Sequence, residues 1–287
     1  MSGVRTQAER RLAEATQRLA EAGVASPGVD AELLMSHVTG VPRGLLRSRA
    51  RLDGPALAAY EEMVAARARR VPLQHLTGTA AFRYVDLEVG PGVFVPRPET
   101  ELLAGWAVEA AREAERLRGE SAVVVDLCTG SGAIALAVQH EVPTARVHAV
   151  ELDEKAAAWA ERNLMETPVD LRRGDAFEAF ADLDGTVDVV VCNPPYIPLE
   201  AWESVAPEAR DHDPHLALFS GDDGLEAMRR LERTAWRLLR TGGLVGAEHA
   251  DVQGESAPAV FAQRWSGVRD HADLAGRPRY VTARRPG

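Results

Sequence analysis

Apolar positions along the chain follow two different periods, and the change between them divides it. From residue 5 to 70 the spacing is helical. Thr6 and Glu9 stand as a capping box, and Leu12, Ala15, Leu19 and Ala22 follow at helical steps. Ser26-Pro27 opens a second helix with Ala31, Leu34, Met35 and Val38 inward, and Gly40 stops it. Asp53-Gly54-Pro55 opens a third, with Leu57, Tyr60 and Val64 buried. The pattern predicts a small helical domain over residues 1–78 that carries no catalytic chemistry.

Residues 79–100 change character. Phe82 to Val89 alternates, and Val93-Phe94-Val95 follows Gly90-Pro91-Gly92, which fits a β-hairpin or linker sheet. Pro96-Arg97-Pro98-Glu99-Thr100-Glu101 then leads into an apolar helix, with Glu99 or Thr100 suited to cap it. Capping accounts for the acids but not for an arginine held between prolines. Arg97 and Glu99 are therefore expected in the wall of a pocket.

From residue 121 short β-branched runs alternate with helices, the signature of a parallel α/β sheet. Strands are predicted at 123–126, 147–150, 169–171, 187–191 and 244–247, with closing strands at 268–271 and 280–283. A helix is predicted at 225–239. This makes residues 101–287 a catalytic domain of class α/β. Open sheets of this kind hold ligands at the carboxyl ends of their strands, and the chemistry-bearing residues collect there.

The fourth run ends in Asn193-Pro194-Pro195-Tyr196. Two prolines cannot continue a ladder, so a rigid turn presents one amide, carbonyls without competing N–H groups, and one ring. The Asn193 oxygen and the Pro194 carbonyl can accept both N–H bonds of a planar NH2 group, and Tyr196 can lie against it. After the first strand, Gly130-x-Gly132 lets backbone approach a ligand. With Ala135, and with Glu151 placed 21 residues beyond Gly130, the loop also fits a dinucleotide-binding Rossmann pattern. Asp126, Glu151 and Asp175 form an acidic ring that disfavours a pyrophosphate and suits a cationic sulfur.

Composition narrows the classes. At 287 residues two cores are affordable, and 46% hydrophobic content is ordinary for a soluble protein. No apolar run approaches a membrane span and no signal-peptide pattern opens the chain. Cys128 and Cys192 lack metal-ligand spacing, so a reducing cytoplasm and no metal are expected. His212-x-x-His215 reads as a polar loop. A net charge of −10 argues against a broad nucleic-acid surface. Residues 1–70 carry eleven arginines against eight acids, leaving the remainder strongly acidic. Arg43, Arg47, Arg49 and Arg51 form either a solvated face or a docking surface for an acidic or phosphate-bearing partner.

Asn193-Pro194-Pro195-Tyr196 resembles the signature of S-adenosylmethionine-dependent methyltransferases that modify planar nitrogens. Over nearly its whole length the chain resembles the HemK/PrmC-type peptide chain release factor glutamine N5-methyltransferases. The likeness is carried by Pro72-Leu73-Gln74-x-x-x-Gly78, Pro96-Arg97-Pro98-Glu99-Thr100-Glu101, Asp126-Leu127-x-Thr129-Gly130-Ser131-Gly132, Asn193-Pro194-Pro195-Tyr196-Ile197, and Glu248-His249 with Gln253. It implies a seven-stranded Rossmann-like methyltransferase domain and an N-terminal helical bundle that grips a release factor. It implies S-adenosylmethionine at Asp126, Cys128, Thr129, Gly130, Ser131, Gly132, Glu151, Asp175, Ala176 and Asn193. The glutamine of a Gly-Gly-Gln loop would sit on Asn193, Pro194, Pro195 and Tyr196, in a monomer with no membrane or nucleic-acid partner. Cys128 stands where many relatives have glycine, Glu151 where aspartate is usual, and Ala176 where some have tryptophan. The rivals are a nucleic-acid adenine or guanine N-methyltransferase, which calls for a basic surface beside the pocket, and a non-enzymatic adaptor.

Overall fold

The computed structural model describes residues 6–287. Arg5, where the helical period begins, and the four residues before it lie outside the described residues. The chain forms two compact units, residues up to 79 with Ala206–His212, and Ala80–Val205 with Asp213–Gly287.

The first unit is helical: α1 (Gln7–Glu21), α2 (Pro27–Thr39), α3 (Leu46–Arg49), α4 (Gly54–Ala68) and α5 (Leu73–Thr77). The capping box forms as the sequence predicts, Thr6 Oγ1 accepting from the Glu9 amide at 3.2 Å and Glu9 accepting from the Thr6 amide at 2.7 Å. Leu12, Leu19, Leu34, Met35, Tyr60 and Val64 meet in one core. Beside it lies a buried ion cluster. Arg67 donates to Asp30 at 2.7 Å and to Glu208 at 2.9 Å, and Arg70 forks onto Glu208 at 2.7 and 2.6 Å. Burial raises the Glu208 pKa, but the two guanidinium groups outweigh it and bring the carboxyl to about 2.

In the second unit, β1 (Thr79–Phe82) and β2 (Val85–Glu88) form a hairpin, followed by α6 (Thr100–Arg118). The hairpin is no free-standing linker, since Ala80, Phe82, Leu87 and Val89 join the core on one face of the main sheet. Val93 is buried there too and Val95 is also buried, but they form no strand. Gly92 turns at φ 93° and Pro96 follows at once, so the segment cannot join a ladder.

The main sheet uses β3 (Val123–Leu127), β4 (Arg146–Glu151), β5 (Asp170–Arg173), β6 (Val187–Cys192), β7 (Leu239–Glu248), β8 (Ser266–Ala272) and β9 (Pro278–Arg284). Their order is β5-β4-β3-β6-β7-β9-β8, parallel from β5 to β7, with β9 antiparallel to both neighbours. Every residue of β3 and β6 is buried, as strands covered on both faces must be. Val124, Val189 and Val191 face α6, α7 (Ala133–Glu141) and α8 (Glu154–Leu164). Val125, Val190 and Val245 face the opposite layer, which after the short helices α9 (Pro207–His212) and α10 (His215–Leu218) of the preceding connection is built by α11 (Glu226–Leu238) and α12 (Ser256–Phe261). Among the parallel strands, sequence order runs outward from β3 in one direction and from β6 in the other, so the switch-point crevice opens at their carboxyl ends.

One polar residue interrupts the apolar run of β6. The Asp188 carboxylate is fully buried and accepts from the Val123 amide at 2.9 Å, from Arg118 at 2.6 Å and from Arg240. It ties β6 to β3 at their amino ends. Asp188→Ala strips the buried Val123 N–H of its acceptor and should destabilise the sheet unit by about 2 kcal/mol, with Asp188→Asn losing less; urea denaturation followed by tryptophan fluorescence measures both.

Candidate active site

The loop after β3 turns on three residues in the left-handed region, Cys128 (φ 59°), Gly130 (φ 59°) and Gly132 (φ 85°). For Cys128 this is a strained conformation that glycine would adopt freely. A Cβ built on Gly130 would meet no protein atom within 4 Å, whereas one on Gly132 would press Leu164 at 3.2 Å. The first glycine therefore keeps space open outside the protein, as a ligand-facing backbone requires, and the second seats the loop on α8.

Two acids hold this loop. Asp126 Oδ2 accepts from the Thr129 hydroxyl at 2.6 Å and from the Ala135 amide at 3.1 Å, while its buried Oδ1 has no partner. Burial, only partly offset by these donors, pushes the Asp126 pKa up to about 7. Glu151, ending β4, accepts from the Gly130 amide at 2.8 Å and from the Leu152 and Asp153 amides at 2.9 Å each. Its pKa is raised by burial. Thr129 and Ser131 are buried, and Leu152 stands exposed beside Glu151, an apolar surface at the crevice that the sequence reading did not single out. After β5, Asp175 accepts from the Phe177 amide at 2.9 Å and from Arg230 at 2.7 Å. Burial raises its pKa, but these two donors prevail and the net shift is downward. Ala176 next to it is buried.

These residues fit S-adenosylmethionine. An open backbone edge, an unpartnered buried carboxylate oxygen and acids that outnumber the one cation, Arg230, suit a ligand that has hydroxyls, an amine and a sulfonium but no phosphate. Among the described residues no cluster of His, Cys, Asp or Glu could hold a metal ion.

The Asn193-Pro194-Pro195-Tyr196 turn leaves β6 one strand away. Asn193 Nδ2 donates to Thr100 Oγ1 at 3.2 Å, and Thr100 Oγ1 donates to Glu248 Oε2 at 2.7 Å. The Tyr196 phenol donates to Glu248 Oε1 at 3.2 Å. Both flanking side chains of the turn thus hang from one buried carboxylate, whose pKa burial raises to about 7. Thr100 does not cap α6, and Glu99, at the cap position, makes no capping bond. The hydroxyl has a stronger charged acceptor in Glu248. The turn is also braced from behind: Gln253 Nε2 donates to the Tyr196 carbonyl at 3.1 Å. A Cβ on Gly224 (φ 73°) would lie 2.3 Å from that same carbonyl, so only glycine fits there.

Arg97 donates to the buried Asp213 at 2.7 Å and lies over the Phe94 ring at 4.8 Å, and Glu99 is 3.7 Å from Arg277. Neither hydrogen-bonds the turn. His215 packs on Trp202 and Phe219, and His249 binds Asp270 and the Ala250 carbonyl. Sequence reasoning missed Thr100, Glu248, Gly224 and Arg230 as parts of this site. Glu248 had a legible signal, because like Glu151 it is an acid closing a buried strand.

A raised carboxyl pKa binds a proton more tightly in the folded state than in the unfolded one. The folded state is then favoured below the unfolded pKa and loses that advantage as pH rises to the folded value. For Glu248 the window runs from its ordinary 4.5 to about 7 and amounts to about 3 kcal/mol. Glu248→Gln should therefore gain stability over wild type between pH 5 and pH 8, measured as a urea midpoint difference that widens up to about pH 7 and then levels off.

Residues 11–78 match the family model of the PrmC N-terminal domain, and residues 111–206 that of the methyltransferase small domain. A release factor glutamine methyltransferase of Streptomyces coelicolor is 59% identical over 96% of this chain and 96% of its own. One of Mycolicibacterium smegmatis is 49% identical over 98% of each. A Streptomyces pristinaespiralis protein named 4-amino-L-phenylalanine/4-methylamino-L-phenylalanine methyltransferase is 44% identical over 89% of this chain and 88% of its own. A solved methyltransferase of Pyrococcus furiosus shares the fold, with a TM-score of 0.53 at 20% identity over 78% of this chain and 99% of that one. With the helical unit, the glycine loop and the acceptor turn all in place, the chain belongs to the release factor glutamine methyltransferase family.

Proposed function

We propose that this protein methylates the side-chain amide nitrogen of the glutamine in the Gly-Gly-Gln loop of a peptide chain release factor, with the chemistry carried by the Asn193–Tyr196 turn. The observation that carries the reading is the orientation of Asn193. Its Nδ2 is spent on Thr100, which leaves Oδ1 as the edge to accept, and Pro194, the next residue in the chain, adds a backbone carbonyl. Two acceptors side by side suit a planar NH2 group, which brings two donors.

S-adenosylmethionine supplies a methyl group activated by its sulfonium cation. Asp126, Cys128, Thr129, Gly130, Ser131, Gly132, Glu151, Asp175 and Ala176 would hold the donor. Asn193 and Pro194 orient the amide nitrogen at a near-attack distance of about 3–3.5 Å. Positive charge develops on that nitrogen as the new bond forms. Its N–H bonds to Asn193 and Pro194 then strengthen, so these acceptors favour the transition state over the ground state. Tyr196 covers the planar group and excludes water, Pro195 keeps the turn rigid, and the departing proton passes to water.

The helical unit serves as the hold on the release factor, with exposed Arg47, Arg49 and Arg51 offering it a basic face. The setting is the cytoplasm, in a monomer that binds no nucleic acid. In support, the net charge is −10, and no described helix is long and apolar enough to cross a membrane. The S. pristinaespiralis relative is named for an aryl amine, also a planar nitrogen, so that acceptor belongs in the test.

Labelled S-adenosylmethionine should mark a release factor and neither nucleic acid nor 4-amino-L-phenylalanine; label in either of those alone would refute the reading. Asn193→Ala should lower transfer by roughly 10²–10³ while calorimetry shows cofactor affinity little changed.

A further inference from the structure

The hydrogen bonds around Glu248 have a direction that proton counting fixes. An ionised carboxylate has no proton to give, so it accepts from both the Thr100 and Tyr196 hydroxyls. Thr100 has one proton, and Glu248 takes it. What the hydroxyl offers Asn193 is a lone pair, which only the Nδ2 edge of the amide can meet. The Oδ1 edge is thereby turned to the acceptor side. If Glu248 carried a proton on Oε2, the chain would reverse: Glu248 would donate to Thr100, Thr100 would donate to Asn193, and the amide would flip. An NH2 edge would then face the NH2 group to be methylated, two donors with no acceptor between them.

We propose that Glu248 is a positioning residue that, through the Thr100 hydroxyl and directly on the Tyr196 phenol, sets which edge of the Asn193 amide faces the acceptor nitrogen. The assignment takes its acceptor from the glutamine-methylation reading, but the relay itself lies within the protein. The groups facing Glu248 are Thr100 and Glu99 at the start of α6, Tyr196 from the turn, and Arg279 from β9. Burial and Glu99 favour its neutral form, while Arg279 and the two hydroxyls favour the ionised one. The relay is thus poised near neutrality, and transfer falls as pH drops.

The sequence contains two asparagines, Asn163 and Asn193, so side-chain labelling of the full chain with ¹⁵N-asparagine gives two NH2 signals. Asn163 bonds only backbone groups of Glu88 and Ser131 and serves as the reference. In wild type the Asn193 signal should move between pH 5 and pH 8.5. Thr100→Val and Glu248→Gln should each abolish that movement, and Thr100→Ser should keep it. In transfer assays on a release factor, Thr100→Val should lower kcat at least about tenfold with KM and cofactor affinity within about twofold, and Thr100→Ser should restore most of the rate. An Asn193 signal in wild type that ignores pH overturns the proposal. So does a Thr100→Val enzyme with wild-type kcat, or a loss that Thr100→Ser fails to repair. If wild type leaves the release factor unlabelled, the acceptor reading fails, and the NMR titration alone decides the relay.

Discussion

The parallel register of β3 against β6 is the constraint on which the rest of the structure depends. Leu127 lies opposite Cys192, so the loop beginning at Cys128 and the turn beginning at Asn193 leave the sheet at the same height. Neighbouring strands stand about 4.8 Å apart, which brings the glycine loop and the Asn193–Tyr196 turn within one small ligand of each other. A slip of one residue would turn every side chain of β6 to the other face, and both cores forbid it. Asp188 reinforces the same register from the amino end by accepting the Val123 amide.

A ring of acids at the carboxyl edge is the electrostatic counterpart of that geometry. Asp126, Glu151 and Glu248 are all buried, and all have raised pKa values. Each is a local destabilisation that a sequence selected for stability alone would avoid. Their backbone and hydroxyl donors lessen the cost without removing it. What they gain is a set of acids at the strand ends that suits a cation, and hydrogen bonds that converge on Glu248 from Thr100 and Tyr196.

The fold was legible because both apolar periods are strong. The three long helices of the first unit, the five parallel strands and the closing pair sit where the pattern puts them, with ends shifted by a few residues, while the short α3 and α5 were not foreseen. β7 begins earlier than the apolar run suggests, since Leu239 pairs with Val187 before an irregularity absorbs Thr241-Gly242-Gly243. The short helices between β6 and α11 carry no periodic signal, being too brief and too rich in charge and proline. Loop glycines and strand-end acids were readable because backbone conformation and position leave a mark on residue type. The role of Thr100 was not. A hydroxyl at a helix start reads as a cap, and its real acceptor, Glu248, lies 148 residues away.

The buried cluster of Asp30, Arg67, Arg70 and Glu208 bears on modularity. A fragment ending before residue 80 contains every helix from α1 to α5, yet it lacks the carboxylate that neutralises two of its arginines. Cutting there leaves Arg67 with Asp30 alone and strips the half-buried Arg70 of its forked carboxylate. A bundle cut out at that point therefore needs a replacement for Glu208, or for the positive charge on Arg70. Its last acid is encoded more than a hundred residues downstream, so a boundary drawn near residue 80 divides an ion cluster as well as a sequence.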